Sequence, residues 1–97
     1  MNEPVNPVIP PEQSLIEYPS AFPIKVMGAH SEPFVEAVIE IARAHAPDFD
    51  PATGLERRPS SSGNYIGLTI TITATSREQL DNLYRALTSH PQVKYVL

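Results

Sequence analysis

From Ile66 to Ala74 apolar and polar positions alternate without a break. Ile66, Leu68, Ile70, Ile72 and Ala74 fall on one side, and Gly67, Thr69, Thr71 and Thr73 on the other. A period of two in β-branched residues predicts a strand buried on one face, and a run this long is expected at the centre of a sheet, where it is paired along its length. Two other stretches carry the helical period. Phe34, Val35, Val38, Ile39 and Ala42 recur at spacings of three and four, and so do Leu80, Leu83, Tyr84 and Leu87. Each set predicts an amphipathic helix with one apolar stripe. Ser31 is placed to cap the first helix, Pro33 is tolerated in its first turn, and Pro47 stops it after His45. Ser76 to Gln79 fits a capping box for the second, with Pro91 just beyond its end. Shorter strands are predicted at Phe22 to Met27, with Gly28 ending the strand, at Leu55 to Arg58 as a charged edge, and at Val93 to Leu97.

The elements then run β, α, β, β, α, β. One apolar stripe per helix and one apolar face per strand give a two-layer α+β sandwich. Right-handed crossovers put the first and third strands at the centre, which is the ferredoxin-like split-βαβ arrangement with antiparallel sheet order 4-1-3-2. The domain is expected over residues 21–97. Residues 1–20 hold five prolines (Pro4, Pro7, Pro10, Pro11 and Pro19) among scattered apolar positions, and predict a disordered Pro-rich arm. The bare Pro-x-x-Pro spacing at Pro4 to Pro7 and Pro7 to Pro10 lacks the basic flank of a polyproline ligand.

Composition narrows the picture. A chain of 97 residues with 41% hydrophobic content allows one domain and one modest core. Without cysteine, disulfides, thiolate metal sites and cysteine nucleophiles are excluded. The net charge is −4, and Glu3, Glu12 and Glu17 all precede the first basic residue, Lys25. The domain itself is therefore nearly neutral and offers no electrostatic footprint for nucleic acid. The longest apolar run is three residues, so no membrane span is expected. Met1 to Pro4 shows neither the basic region nor the apolar core of a secretory signal, and a cytoplasmic location is the expectation.

Candidate chemistry is sparse. His30, His45 and His90 share no metal-ligating spacing, and the last two fall at helix carboxy-termini, where the dipole favours a cation. Ser60 to Gly63 lacks the lysine, the glycines and the following helix of a phosphate loop. Gly63 to Gly67 faintly echoes the RNA-recognition motif, but among the outward positions only Tyr65 is aromatic. Ser61 or Ser62 with His30 and Asp48 is not selected by any spacing as a nucleophile set. No catalytic residue, metal or cofactor is predicted, and no enzymatic activity is expected.

Two surfaces remain. Lys25, Met27, Thr69, Thr71 and Thr73 should share the sheet face away from the helices, a half-polar surface for a protein partner or a second copy in a homodimer. The turn from Gly28 to Ser31 enters the first helix, whose free amides suit a small anionic ligand; Gly28, His30, Ser31, Asn64 and Tyr65 are its candidate residues.

Phe22-Pro23-Ile24-Lys25-Val26-Met27-Gly28, His45-Ala46-Pro47 and Pro59-Ser60-Ser61-Ser62-Gly63-Asn64-Tyr65, followed by Thr69 to Thr75, resemble the YbeD family of small bacterial proteins. The resemblance covers about Pro19 to Leu97. It implies a ferredoxin-like domain similar to ACT-type regulatory modules, with no enzymatic activity and a link to lipoate metabolism. Ser62 stands where the family's loop is expected to carry a lysine, so a basic-ligand role for that loop does not carry over.

Overall fold

A computed structural model describes residues 17–97; the arm predicted over residues 1–20 lies mostly outside them. The elements are β1 (Ser20–Ala29), α1 (Glu32–His45), α2 (Pro51–Gly54), β2 (Leu55–Pro59), β3 (Tyr65–Ala74), α3 (Arg77–Ser89) and β4 (Val93–Val96). The sheet order is β2-β3-β1-β4, the predicted 4-1-3-2 read from the other edge, and every pairing is antiparallel. This is the expected α+β arrangement with one added helical turn, α2.

The alternation in β3 sets the core. Ile66, Leu68, Ile70, Ile72 and Ala74 are buried, and Ile24 and Val26 of β1 lie beside them in a register running from Ser20 opposite Ala74 to Ala29 opposite Tyr65. Phe34, Val35, Val38 and Ala42 of α1 and Leu80, Leu83 and Leu87 of α3 close over that face. Both predicted caps are present. Ser31 Oγ accepts from the Phe34 amide at 3.3 Å, and Ser76 Oγ from the Gln79 amide at 3.0 Å. The Gln79 side chain also accepts from the Thr75 amide at 2.6 Å and donates to the carbonyls of His45 at 2.8 Å and Thr73 at 3.2 Å. One amide thus joins the ends of α1, β3 and α3.

Two local features depart from the expectation. Gly28 does not end the first strand. It pairs within β1, opposite Ile66 and Val93, and its missing side chain admits the Phe34 ring: a Cβ here would stand 2.4 Å from Phe34 Cε1 and 2.6 Å from the Gln92 carbonyl oxygen. Glycine is required by packing rather than by a turn. The second feature is Phe49, which is buried in the core although no periodic pattern contains it. Asp50 caps the α2 turn behind it, its Oδ1 accepting from the Ala52 amide at 3.0 Å.

Candidate interaction face

With both long helices on one side, the other side of the sheet is uncovered among the described residues, and the register says which residues it presents. Residues opposite one another across paired strands share a face. Lys25 exchanges two backbone hydrogen bonds with Leu97, at 3.3 and 2.8 Å, and lies opposite Thr69, which lies opposite Glu56. The next row reads Tyr95, Met27, Gly67 and Arg58. The pairing of β1 with β4 then shifts, because Tyr95 opposes Met27 while Val93 opposes Gly28. Lys94 is left as the extra residue of a bulge. Its Nζ sits 5.3 Å from the centroid of the Tyr65 ring, within reach of a cation–π contact.

Between the two rows lies a groove of about 450 Å³, lined by Lys25, Met27, Glu56, Arg58, Gly67, Thr69, Tyr95 and Leu97 among others. Gly67 forms a dent in its floor, where a Cβ would find only Met27 Cε at 3.4 Å and the Arg58 carbonyl oxygen at 3.7 Å. Tyr95 is 48% exposed and Leu97 69%, so the apolar wall is open to water. Arg57, whose side chain falls on the other side of β2, is held by Glu32 at 3.3 Å. That is the only ion pair among the described residues, which leaves Lys25, Arg58 and Lys94 without a carboxylate partner.

Of the predicted face, Lys25, Met27 and Thr69 line the groove. Thr71, opposite Pro23, and Thr73, opposite Ala21, continue the same face beyond it. The sequence pattern does not place Arg58, Tyr95 and Leu97 on this face, which they join in the folded sheet. Glu56 and Arg58 alternate with buried-side neighbours over too few residues to be read, and the bulge at Lys94 breaks the alternation of the last strand.

The turn residues come together differently. The His30 amide donates to the Asn64 carbonyl at 3.1 Å, and His30 Nδ1 lies 3.1 Å from the Gly63 carbonyl. Gly63, at φ +80, occupies the left-handed region that glycine enters freely. Ser60 Oγ accepts from the Tyr65 amide at 3.1 Å and Ser62 Oγ from the Asn64 amide at 3.3 Å, so the serine-rich loop is bonded to itself. Ser31 Oγ is engaged by its cap, and Gly28 is buried beneath Phe34. A second concavity of about 400 Å³ joins Ala29, Ser31, Tyr65 and Gln92 to Lys94. Ser31 and Tyr65 border it; His30 and Asn64 do not.

The fold and this face define a small α+β domain with a covered and an uncovered side. Residues 13–97 match the family described as "Protein of unknown function (DUF493)", and the chain belongs to that family. It is 67% identical over 89 residues to a UPF0250 protein of Leptothrix cholodnii, covering 92% of this chain and 97% of the relative. A UPF0250 protein of Janthinobacterium sp. is 62% identical over 87 residues, covering 90% and 94%. These relatives agree with the YbeD-like resemblance. The solution structure of protein HP0495 from H. pylori superposes with a TM-score of 0.72 at 13% identity, over 95% of this chain and 98% of that one, which shows a shared fold. Among the described residues no helix is long and apolar enough to cross a membrane.

Proposed function

We propose that this protein is a non-enzymatic binding module that presents the uncovered face of its sheet to a protein partner. The observation that carries the reading is the groove itself, in which cations without an ion-pair partner, exposed apolar side chains and a dent at Gly67 meet on a surface that no other element covers among the described residues. The YbeD-like resemblance adds finer elements: a regulatory role of the ACT type, a place in lipoate metabolism, and a cytoplasmic setting. These rest on sequence resemblance and composition alone. A photocrosslinking residue at Thr69 should capture a partner in cells, while the same residue at Glu78 on α3 should not. Equal capture at both positions, or none at Thr69, overturns the reading. A captured lipoate-handling enzyme supports the metabolic link, and any other partner removes it. Sedimentation velocity tests a second copy as the partner, since a strict monomer at millimolar concentration excludes it.

A second reading, a sensor of a small anion at the turn between β1 and α1, draws on the concavity where Lys94 faces Ser31 and Tyr65. Thermal-shift screening against amino acids, nucleotides and lipoate tests it. A ligand at 100 times its Kd adds about 2.7 kcal/mol, and its amide shifts should centre on Ala29 to Ser31.

A further inference from the structure

We infer that the partner recognised by the uncovered face is an acidic, extended peptide segment carrying apolar residues between its carboxylates. The inference rests on the binding-face reading and names the class of partner.

Its first support is a separation of charge that the net value conceals. Exposed acids outnumber bases on the helical layer, with Glu32, Glu36 and Glu40 against Arg43 on α1 and Glu78 and Asp81 against Arg77 and Arg85 on α3. Among the described residues, the uncovered face carries Lys25 and Arg58 against Glu56 as its acidic side chain, with Lys94 over the Tyr65 ring at its margin. A chain of net charge −4 thus keeps one locally cationic surface, and the resulting field turns that surface toward an acidic partner. Arg57, committed to Glu32, shows what an available carboxylate does here; Lys25 and Arg58 have none among the described residues.

Spacing selects the form of the partner. Lys25 and Arg58 are separated by two strand intervals and two residues along the strands, which puts their Cα atoms about 12 Å apart. Two carboxylates spread along one segment match that separation better than a single compact anion. Between them lie Thr69 and Gly67 of β3, and the space above Gly67 receives an apolar side chain from the partner; Met27, Tyr95 and Leu97 extend the contact as an apolar wall along β1 and β4. Glu56 stands in the same row as Lys25 and repels a continuous polyanion, which favours a peptide over nucleic acid.

The test uses the full chain and fluorescence anisotropy with a labelled peptide of alternating Asp and Leu. An alternating Lys and Leu peptide and an oligothymidylate serve as comparisons. The Asp–Leu peptide should bind, lose affinity as salt is raised, and shift the amides of Lys25, Gly67 and Tyr95. Lys25→Glu combined with Arg58→Glu should weaken it about tenfold or more, with the amide spectrum otherwise intact because both side chains are exposed. No binding, equal binding of the Lys–Leu peptide, preference for oligothymidylate, or an unchanged affinity in the double charge reversal overturns the inference. Crosslinking at Thr69 reports any partner, so its persistence after such a result removes the acidic class and keeps the binding face. Its disappearance removes both.

Discussion

Gly28 and Gly67 sit one residue out of register on neighbouring strands, Gly28 opposite Ile66 and Gly67 opposite Met27, so they open toward opposite sides of the same sheet. Beneath Gly28 the Phe34 ring and the Gln92 carbonyl fill the place a side chain would take. Above Gly67 there are only one flexible methionine tip and one carbonyl at the margin among the described residues. The residue type is the same, and the difference lies in what each half of the molecule has finished. On the helical side the absence of a side chain is used up in packing density, which leaves nothing for a ligand. On the other side the same absence is unspent, and beside it stand Lys25 and Arg58, which have no ion-pair partner among the described residues. A glycine therefore marks a function here only when its open side is uncovered, which is why the groove at Gly67, and not the turn near Gly28, carries the proposed function.

The comparison breaks most visibly at Gly28. Gly28→Ala should destabilise the fold by about 3 kcal/mol, because its Cβ meets a backbone oxygen as well as a ring and neither can retreat cheaply. Urea denaturation with an unchanged m-value is the measurement. Combining it with Phe34→Ala should cost less than the two single changes together, since removing the ring relieves part of the clash. Full additivity would mean that the ring does not occupy the space left by Gly28.

A smaller effect is expected where the covered side closes. Gln79→Ala should cost about 1–2 kcal/mol, since it removes an acceptor for the Thr75 amide and a donor to the His45 and Thr73 carbonyls. Gln79→Glu sharpens the point. Its carboxylate still accepts from Thr75 and suits the first turn of α3, but it cannot donate. If Glu restores full stability, the donor bonds to α1 and β3 contribute nothing, and the joint between the layers depends on the cap alone.

How far all this is legible in the sequence follows the same division. The covered side is written in periods: β3 alternates, both helices repeat at three and four, and Ser31 and Ser76 stand at their caps, so the fold and most of its core can be read in order along the chain. Phe49 escapes because a single aromatic between Asp48 and Asp50 has no period. Gly28 misleads because glycine at a strand end is the usual sign of a turn, whereas here the reason lies six residues later in the Phe34 ring. The uncovered side is legible only by half. Lys25, Met27 and Thr69 follow from alternation, but Arg58, Tyr95 and Leu97 join them through pairings between distant segments and a bulge at Lys94. The charge separation is invisible for the same reason, since a sum along the chain cannot tell which layer holds which sign.

The smallest effect is the most discriminating. Gly67→Ala should stabilise the protein by about 0.5 kcal/mol, because glycine inside a strand loses more conformational freedom on folding than alanine does. The position tolerates a side chain: its backbone is not in the left-handed region, and the added Cβ makes ordinary contacts at 3.4 Å with Met27 Cε and 3.7 Å with the Arg58 carbonyl. The same methyl group fills the dent, so affinity for the Asp–Leu peptide should fall while thermal stability rises. Opposite signs of that kind separate a surface kept open for a partner from one that is merely unfilled. A loss of stability would show that the space above Gly67 is occupied after all, and the contrast with Gly28 would fail. A gain in stability with unchanged affinity would keep the contrast and move the peptide's anchor from the dent to the cations beside it.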